Sequence, residues 1–255
     1  MKTAPSLQEA GTLLRSAQRI VVLTGAGIST ASGIPDYRSP NTGFWQQKNP
    51  IEIASASAFR THPERFYHDW LRPIALYCLN AQPNPAHLAL AHLEQAGKLS
   101  AIITQNIDRL HHRAGSNNVI ELHGSLSNFH CPRCAKTFPG NSLYQQLIED
   151  DRIPYCPNCQ VILKPNIVLF GDNLSQANWQ KATQYSQECD LMLVVGSSLN
   201  VGPANALPYL AIETGAPLII LTRSETPLDE QATLILHEDI VSALPLLISF
   251  ALEDL

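Results

Sequence analysis

Four cysteines fall into two C-x-x-C knuckles, Cys131-Pro-Arg-Cys134 and Cys156-Pro-Asn-Cys159. Four thiolates at this spacing make a tetrahedral structural zinc site. With sulfur at every coordination position, such a zinc is a staple and not a Lewis acid. The other residues able to do chemistry follow short apolar runs. Val21-Val22-Leu23-Thr24 leads into Gly25-Ala26-Gly27, and residues 100–104 (SAIIT) lead into Gln105, Asn106, Ile107 and Asp108. Residues 118–122 end at His123-Gly124, and the apolar run CDLMLVV ends at Gly196-Ser197-Ser198. A glycine turn after a buried strand presents backbone N–H groups to a phosphate, and histidine is the side chain suited to general-base work near neutral pH. Plainer readings stand beside these. The first turn has Thr30 where a G-x-G-x-x-G fingerprint has its third glycine, Asn106 and Asp108 suit a helix N-cap, and a lone histidine is often structural.

The elements that must position these residues alternate between strand and helix. A helix over residues 6–18, with Ser6-x-x-Glu9 as a capping box, precedes a strand over 20–24. Residues 39–50 are rich in turn formers and carry Phe44 and Trp45, which either close over a ligand or fill core beneath a loop. Residues 52–80 read as helix in pieces broken by Pro63 and Pro73, and a helix over 86–96 stops at Gly97. After the cysteine segment, 164–172 reads as a strand ending at Gly171-Asp172, followed by a helix over 175–188. Strands over 189–195, 216–222 and 233–236 and a closing helix from 241 complete the pattern. The expected fold is α/β: a Rossmann-like parallel-sheet domain (residues 1–38, 84–125 and 163–255) with an inserted small zinc-ribbon and helical domain. Residues 39–83 supply a loop and the helical part of the small domain, and 126–162 the zinc-ribbon module. Cys78 and Cys189 have no partner motif and read as small buried hydrophobes.

The chain has 255 residues, 45% hydrophobic and 15% charged, with a net charge of -5. That charge does not favour broad binding to nucleic acid or to an anionic membrane. The ribbon's Arg133, Lys136 and Arg152 are offset by Glu149, Asp150 and Asp151, which speaks against a nucleic-acid-binding module. No apolar run approaches the ~18 residues that span a bilayer. The first residues are too polar for a secretory signal, so a reducing, cytoplasmic setting is expected, where clustered cysteines hold metal. Nothing in the sequence demands more than a monomer.

Taken together and in order, the motifs GAGISTASGIPDYRS (residues 25–39), TQNID (104–108), LHG (122–124), the paired C-x-x-C, VLFGD (168–172) and GSSLNV (196–201) resemble the sirtuins. This is the family of NAD-dependent protein-lysine deacylases, and the resemblance covers nearly the whole chain. It implies that NAD and an acyl-lysine protein or peptide meet in a cleft between the two domains. Gly25, Ala26 and Gly27 would admit the pyrophosphate, and Asp36, Tyr37 and Arg38 lie on the cofactor loop, with Tyr37 where phenylalanine is usual. Gln105, Asn106, Ile107 and Asp108 would hold the nicotinamide and its ribose. Gly196, Ser197 and Ser198 would meet ribose or phosphate, and Thr222, Arg223, Ser224 and Ile240 the adenosine. Val168, Phe170, Gly171, Asp172, Asn200 and Val201 would line the acyl-lysine channel and pair with substrate backbone by strand addition.

The resemblance also implies the chemistry. Nicotinamide leaves, the acyl oxygen attacks C1′ to give an alkylimidate, and His123 acts as general base on a ribose hydroxyl, with Asn106 and Asp108 as its catalytic companions. The products are free lysine and 2′-O-acyl-ADP-ribose. The alternative on the same scaffold is mono-ADP-ribosyl transfer to protein. Thr222 stands where asparagine usually meets the adenosine ribose, and Asp172 where glutamate is frequent. Family members that remove succinyl or malonyl groups carry Tyr-x-x-Arg, and here Tyr67 is followed by Trp70 in place of the arginine. Without that cation, and with Asp69 nearby, neutral acyl groups are expected unless Arg72 supplies the charge from a shifted register.

Overall fold

The computed structural model describes residues 7–36 and 49–253. Six parallel strands form the main sheet: β1 (Ile20–Thr24), β2 (Leu99–Thr104), β3 (Val119–Glu121), β7 (Leu191–Val195), β8 (Leu218–Leu221) and β9 (Leu234–Leu236). Their order is β3-β2-β1-β7-β8-β9. The strands read as continuous apolar runs because helices cover both faces. Ile20 and Val22 pack in one core with the helices Leu7–Ser16, Pro85–Gln95 and Ile240–Leu252, whereas Val21 and Leu23 pack in a second core with residues of Gln176–Glu188 and Leu207–Glu213.

Strand order reverses between β1 and β7, so the chain leaves these neighbours in opposite directions and opens a crevice at their carboxyl ends. Backbone hydrogen bonds continue across that edge beyond the strands: Leu122 N to Thr104 O, Gln105 N to Thr24 O, Gly25 N to Val195 O, Gly196 N to Leu221 O, and Thr222 N to Leu236 O. Every strand-end motif singled out in the parallel sheet therefore lies on one line.

A second sheet, in the order β5-β4-β6, is antiparallel: β4 (Gly124–His130), β5 (Thr137–Pro139) and β6 (Lys164–Ile167). The expectation that 164–172 is a strand returning to the Rossmann-like part is corrected. Only Lys164–Ile167 is strand, and it pairs with β4 in the small sheet. A third core joins this sheet to the helices Ala56–Thr61, Arg72–Asn80 and Gly140–Glu149. The prolines of 52–80 act differently from one another. Pro63 starts a new helical turn, whereas Pro73 follows a widened π-helical turn, Phe66–Leu71, which runs straight into Arg72–Asn80. Ser6, the 39–48 part of the turn-rich loop with Phe44 and Trp45, and the cofactor-loop residues Tyr37 and Arg38 lie outside the described residues.

At the β1/β7 crossing the glycines have a steric role. A Cβ on Gly25 would stand 2.8 Å from the Gly196 carbonyl oxygen, and one on Gly27 2.8 Å from the Gly196 Cα. Gly196 has φ +62, and its Cβ would fall 2.5 Å from the Ile28 nitrogen. Gly33, at φ +85, has open space around its Cβ position. Gly196→Ala is therefore expected to lower stability by at least about 2 kcal/mol, from clash and left-handed strain together, whereas Gly33→Ala costs about 1 kcal/mol from strain alone. Urea midpoints of the two variants measure the difference.

Candidate active site

The crevice is a cavity of about 1180 Å³. Its wall is lined by Gly25, Ala26, Gly27, Gly196, Ser197, Ser198, Thr222, Arg223, Ser224 and Ile240. It also carries His123, Val168, Phe170, Gly171, Asp172, Asn200 and Val201, with Gln105, Asn106, Ile107 and Asp36. Apart from the four cysteines, all the described site residues singled out in the sequence thus share this cavity, except Asp108. That carboxylate lines a small adjoining pocket of about 20 Å³, which shares Ala26, Asn106 and Ile107 with the large one.

His123 leaves the end of β3 and donates from Nδ1 to the Gln105 carbonyl oxygen at 2.9 Å. The carbonyl can only accept, so the neutral ring carries its lone pair on Nε2. Burial lowers the His123 pKa from 6.5, against an opposing contribution from that hydrogen bond, and keeps the ring neutral at pH 7. Gln105 Nε2 donates to Ser197 Oγ at 2.9 Å and so ties the end of β2 to the turn after β7. The Ser197 hydroxyl also accepts from Leu199 N and is buried, which makes it a brace for the loop.

Asn106 spends its amide N–H groups on Gly25 O (3.0 Å) and Ser29 Oγ (3.2 Å). Asp108 accepts from Leu110 N (2.8 Å) and Ser29 Oγ (2.7 Å), so it holds the first residue of the helix Leu110–Arg113, whose N-cap is Arg109, while lining the pocket. Burial raises its pKa and both hydrogen bonds lower it. Cys78, read from the sequence as a small buried hydrophobe, lines the same pocket, and burial first, then the Asp108 charge, pushes its thiol up.

Behind these residues runs a buried polar chain. Thr24 Oγ1 bonds Thr104 Oγ1 (2.8 Å) and His111 Nε2 (2.9 Å), and the His111 ring lies 5.0 Å from His87, whose Nε2 is 3.5 Å from Ser29 Oγ. Burial pushes the His87 pKa from 6.5 down to about 4. A folded-state pKa below the unfolded one means that the unfolded chain binds more protons in this window. The stability gained by keeping His87 neutral is complete above pH 6.5 and is lost as pH falls toward 4, a change of about 3 kcal/mol. Urea unfolding at pH 7 and pH 4.5 should show the loss, and His87→Gln should reduce it while leaving the share of the buried His111, whose pKa burial also lowers.

Contacts within the chain hold the segment 168–172. Phe170 N donates to Ala54 O and Phe170 O accepts from Ala56 N, so its backbone is already paired. The Asp172 carboxylate bonds Lys164 Nζ at 2.9 Å and Leu169 N at 3.1 Å, which closes the turn. Elsewhere in the cavity wall Arg223 pairs with Asp239, which also caps Ile240–Leu252 through Ser242 N.

Sequence reasoning missed that Trp70 and Trp179 line the cavity. It also left Arg72 open as a cation for the acyl group. That option is corrected: Arg72 donates to the Leu147 and Ile148 carbonyls, and Asp151 lies 3.3 Å away. Tyr67 is fully buried and donates to Leu163 O at 2.5 Å, and Asp69 pairs with Arg65 on the exposed side.

The four cysteine sulfurs Cys131, Cys134, Cys156 and Cys159 lie within 4.8 Å of one another. Cys134 and Cys156 are 3.9 Å apart, far beyond a disulfide and close to the ~3.8 Å edge of a zinc tetrathiolate. Each knuckle closes alike: Ala135 N donates to Cys131 O and Gln160 N to Cys156 O, both at 2.9 Å, with Ala135 and Gln160 in left-handed backbone. The donor set and its spacing fit one zinc ion. Metal analysis should find one zinc per chain, and a strong chelator should lower the thermal midpoint by melting the small domain first.

The Sir2 family profile matches residues 25–203. An NAD-dependent protein deacetylase of Thermotoga maritima is 44% identical over 90% of this chain and 92% of its own. An NAD-dependent protein deacylase 2 of Archaeoglobus fulgidus is 42% identical over 88% and 87%. Among solved structures, a Sir2 complex with a p53 peptide and NAD+ superposes with a TM-score of 0.85 at 42% identity, covering 94% of this chain and 96% of that one. With its parallel sheet, its four-cysteine cluster and these relatives, the chain belongs to the Sir2 family.

Proposed function

We propose that this protein removes neutral acyl groups from lysine side chains of proteins at the expense of NAD, with His123 as the general base. The observation that carries this reading is the His123 Nδ1 bond to Gln105 O, which leaves Nε2 basic within a cavity that also holds the paired glycine turns. NAD, when bound, supplies an electrophilic ribose carbon as nicotinamide leaves. The residues of this chain do the rest. Gly25 and Gly27 lie flush against Gly196, and the turn they form with Ala26 offers backbone to a pyrophosphate. Thr222, Arg223, Ser224 and Ile240 take the adenosine. Asn106, fixed by Gly25 O and Ser29, turns its carbonyl oxygen to a ribose hydroxyl or a water, and Asp108 accepts from the carboxamide N–H in the adjoining pocket. His123 Nε2 takes a proton from a ribose hydroxyl so that the hydroxyl can attack the acyl carbon.

The acyl-lysine enters past Val168, Gly171, Asn200 and Val201, with backbone pairing at the last three. Arg72 supplies no cation to the acyl end, because it is spent on the helix Gly140–Glu149. Acetyl or propionyl peptides are therefore expected to turn over faster than succinyl ones. No helix among the described residues is long and apolar enough to cross a membrane.

The test is incubation with NAD and an acetyl-lysine peptide. NAD-dependent release of free lysine, reduced at least ~100-fold in His123→Ala, supports the reading. Transfer of labelled ADP-ribose to protein without deacylation overturns it in favour of mono-ADP-ribosyl transfer. Because burial holds the His123 pKa below 6.5, kcat/KM should stay level through pH 7 and fall only as pH drops through that lowered value.

A further inference from the structure

The sheet edge fixes where the second ribose of a dinucleotide falls. His123 follows the end of β3, and Thr222 follows the end of β8. Both strands stand two places from β1, on opposite sides, roughly 10 Å away. A dinucleotide with its pyrophosphate on the glycine turns and its reacting ribose at His123 therefore brings its other ribose to the end of β8. There the chain reads Thr222-Arg223-Ser224, a guanidinium between two hydroxyls, and all three line the cavity. Thr222 is 7% exposed. Its N–H donates to Leu236 O and its carbonyl bonds His237 Nδ1, but its hydroxyl has no partner among the described residues. The Arg223 side chain is 72% exposed and bonds Asp239 through Nη2.

An acidic side chain near the adenosine ribose of a nucleotide-binding sheet holds the free 2′ hydroxyl, whereas an arginine there accommodates a 2′-phosphate. Here the strand end carries the arginine. Asp239 is occupied: Oδ2 accepts from Arg223, and Oδ1 accepts from Ser242 N and Ser242 Oγ, each at 3.1 Å. It anchors the guanidinium by one nitrogen and leaves Nε and Nη1 without a partner among the described residues. Ile240 and Val241, also in the wall, begin a 13-residue helix whose N-terminal field favours an anion. We propose that the cavity also takes the 2′-phosphorylated dinucleotide, NADP, with Arg223 and the hydroxyls of Thr222 and Ser224 on the phosphate. Glu225, exposed in the same wall, opposes the added charge, so NADP is used beside NAD and does not replace it. The reacting ribose is the other one, so the bonds broken and formed are unchanged and the phosphate leaves on the product. This inference rests on the deacylase reading above.

The experiment compares NAD with NADP freed of NAD, on an acetyl-lysine peptide. Mass spectrometry recognises the product of NADP by its additional phosphate. The kcat/KM for NADP should lie within about tenfold of that for NAD, and Arg223→Ala should lower the NADP-to-NAD ratio by about tenfold. Because the ratio is taken within each protein, a loss of stability or of adenosine contacts in the variant cancels. Calorimetric titration with ADP-ribose and 2′-phospho-ADP-ribose reads the same ratio without turnover. A larger deficit for NADP in the wild-type protein, or a ratio unchanged in Arg223→Ala, overturns the proposal while turnover of NAD leaves the deacylase reading intact. If neither dinucleotide releases lysine, the deacylase reading fails and the calorimetric ratio still decides the proposal.

Discussion

The crossing of two glycine turns, after β1 and after β7, is the constraint on which the site depends. Gly25 and Gly27 press on Gly196 at distances that no side chain tolerates, and Gly27 N bonds Gly196 O at 2.9 Å. This contact sits where strand order reverses, so it closes the floor of the crevice that the reversal opens. Once the floor is backbone, the positions of the side chains around it follow. Asn106 reaches Gly25 O, Ser29 reaches Asp108, and Gln105 reaches Ser197, each across the same few ångströms. The tightness of the crossing also explains why a phosphate would meet main-chain N–H groups there.

A second layer holds that floor in place. Asn84 caps the helix Pro85–Gln95 and donates to Ile28 O, and His87 and His111 stack beneath Ser29 and Thr24. These groups are neutral and buried, so they orient their neighbours without adding charge under the carboxylate of Asp108. The polar chain therefore links the two strands that flank the site, β1 and β2, to the helix behind them.

Much of this was legible in the residues. Continuous apolar runs marked a sheet covered on both faces, and their ends marked the carboxyl edge where the site residues gather. The knuckle spacing placed the four sulfurs together. Other features were not legible, each for a physical reason. Lys164–Ile167 has the composition of a strand whichever sheet it joins, and only its pairing with β4 decides. Asp172 and Arg72 are charged residues near a site, yet tertiary contacts with Lys164 and with a helix end occupy them. Trp70 lies in a helical stretch where aromatic residues ordinarily fill core, and no local pattern says that one edge borders a cavity. Gly25 and Gly27 were read as a turn that presents backbone to a pyrophosphate, and their close contact with Gly196 is a tertiary demand for glycine that no local pattern carries.

The small sheet has a geometry whose consequence reaches the chemistry. His123 is the residue before β4, Val168 is the residue after β6, and Val168 N bonds His123 O at 2.8 Å. Gly124 is wedged beside Asn166 at a distance only glycine allows. The proposed base therefore stands at one end of a paired ribbon whose other end runs into Cys131, roughly 20 Å away along the strand. The same residue is tied to the parallel sheet through the Gln105 carbonyl, so the proposed base stands where the two sheets meet, with the cysteine cluster at the far end of one of them.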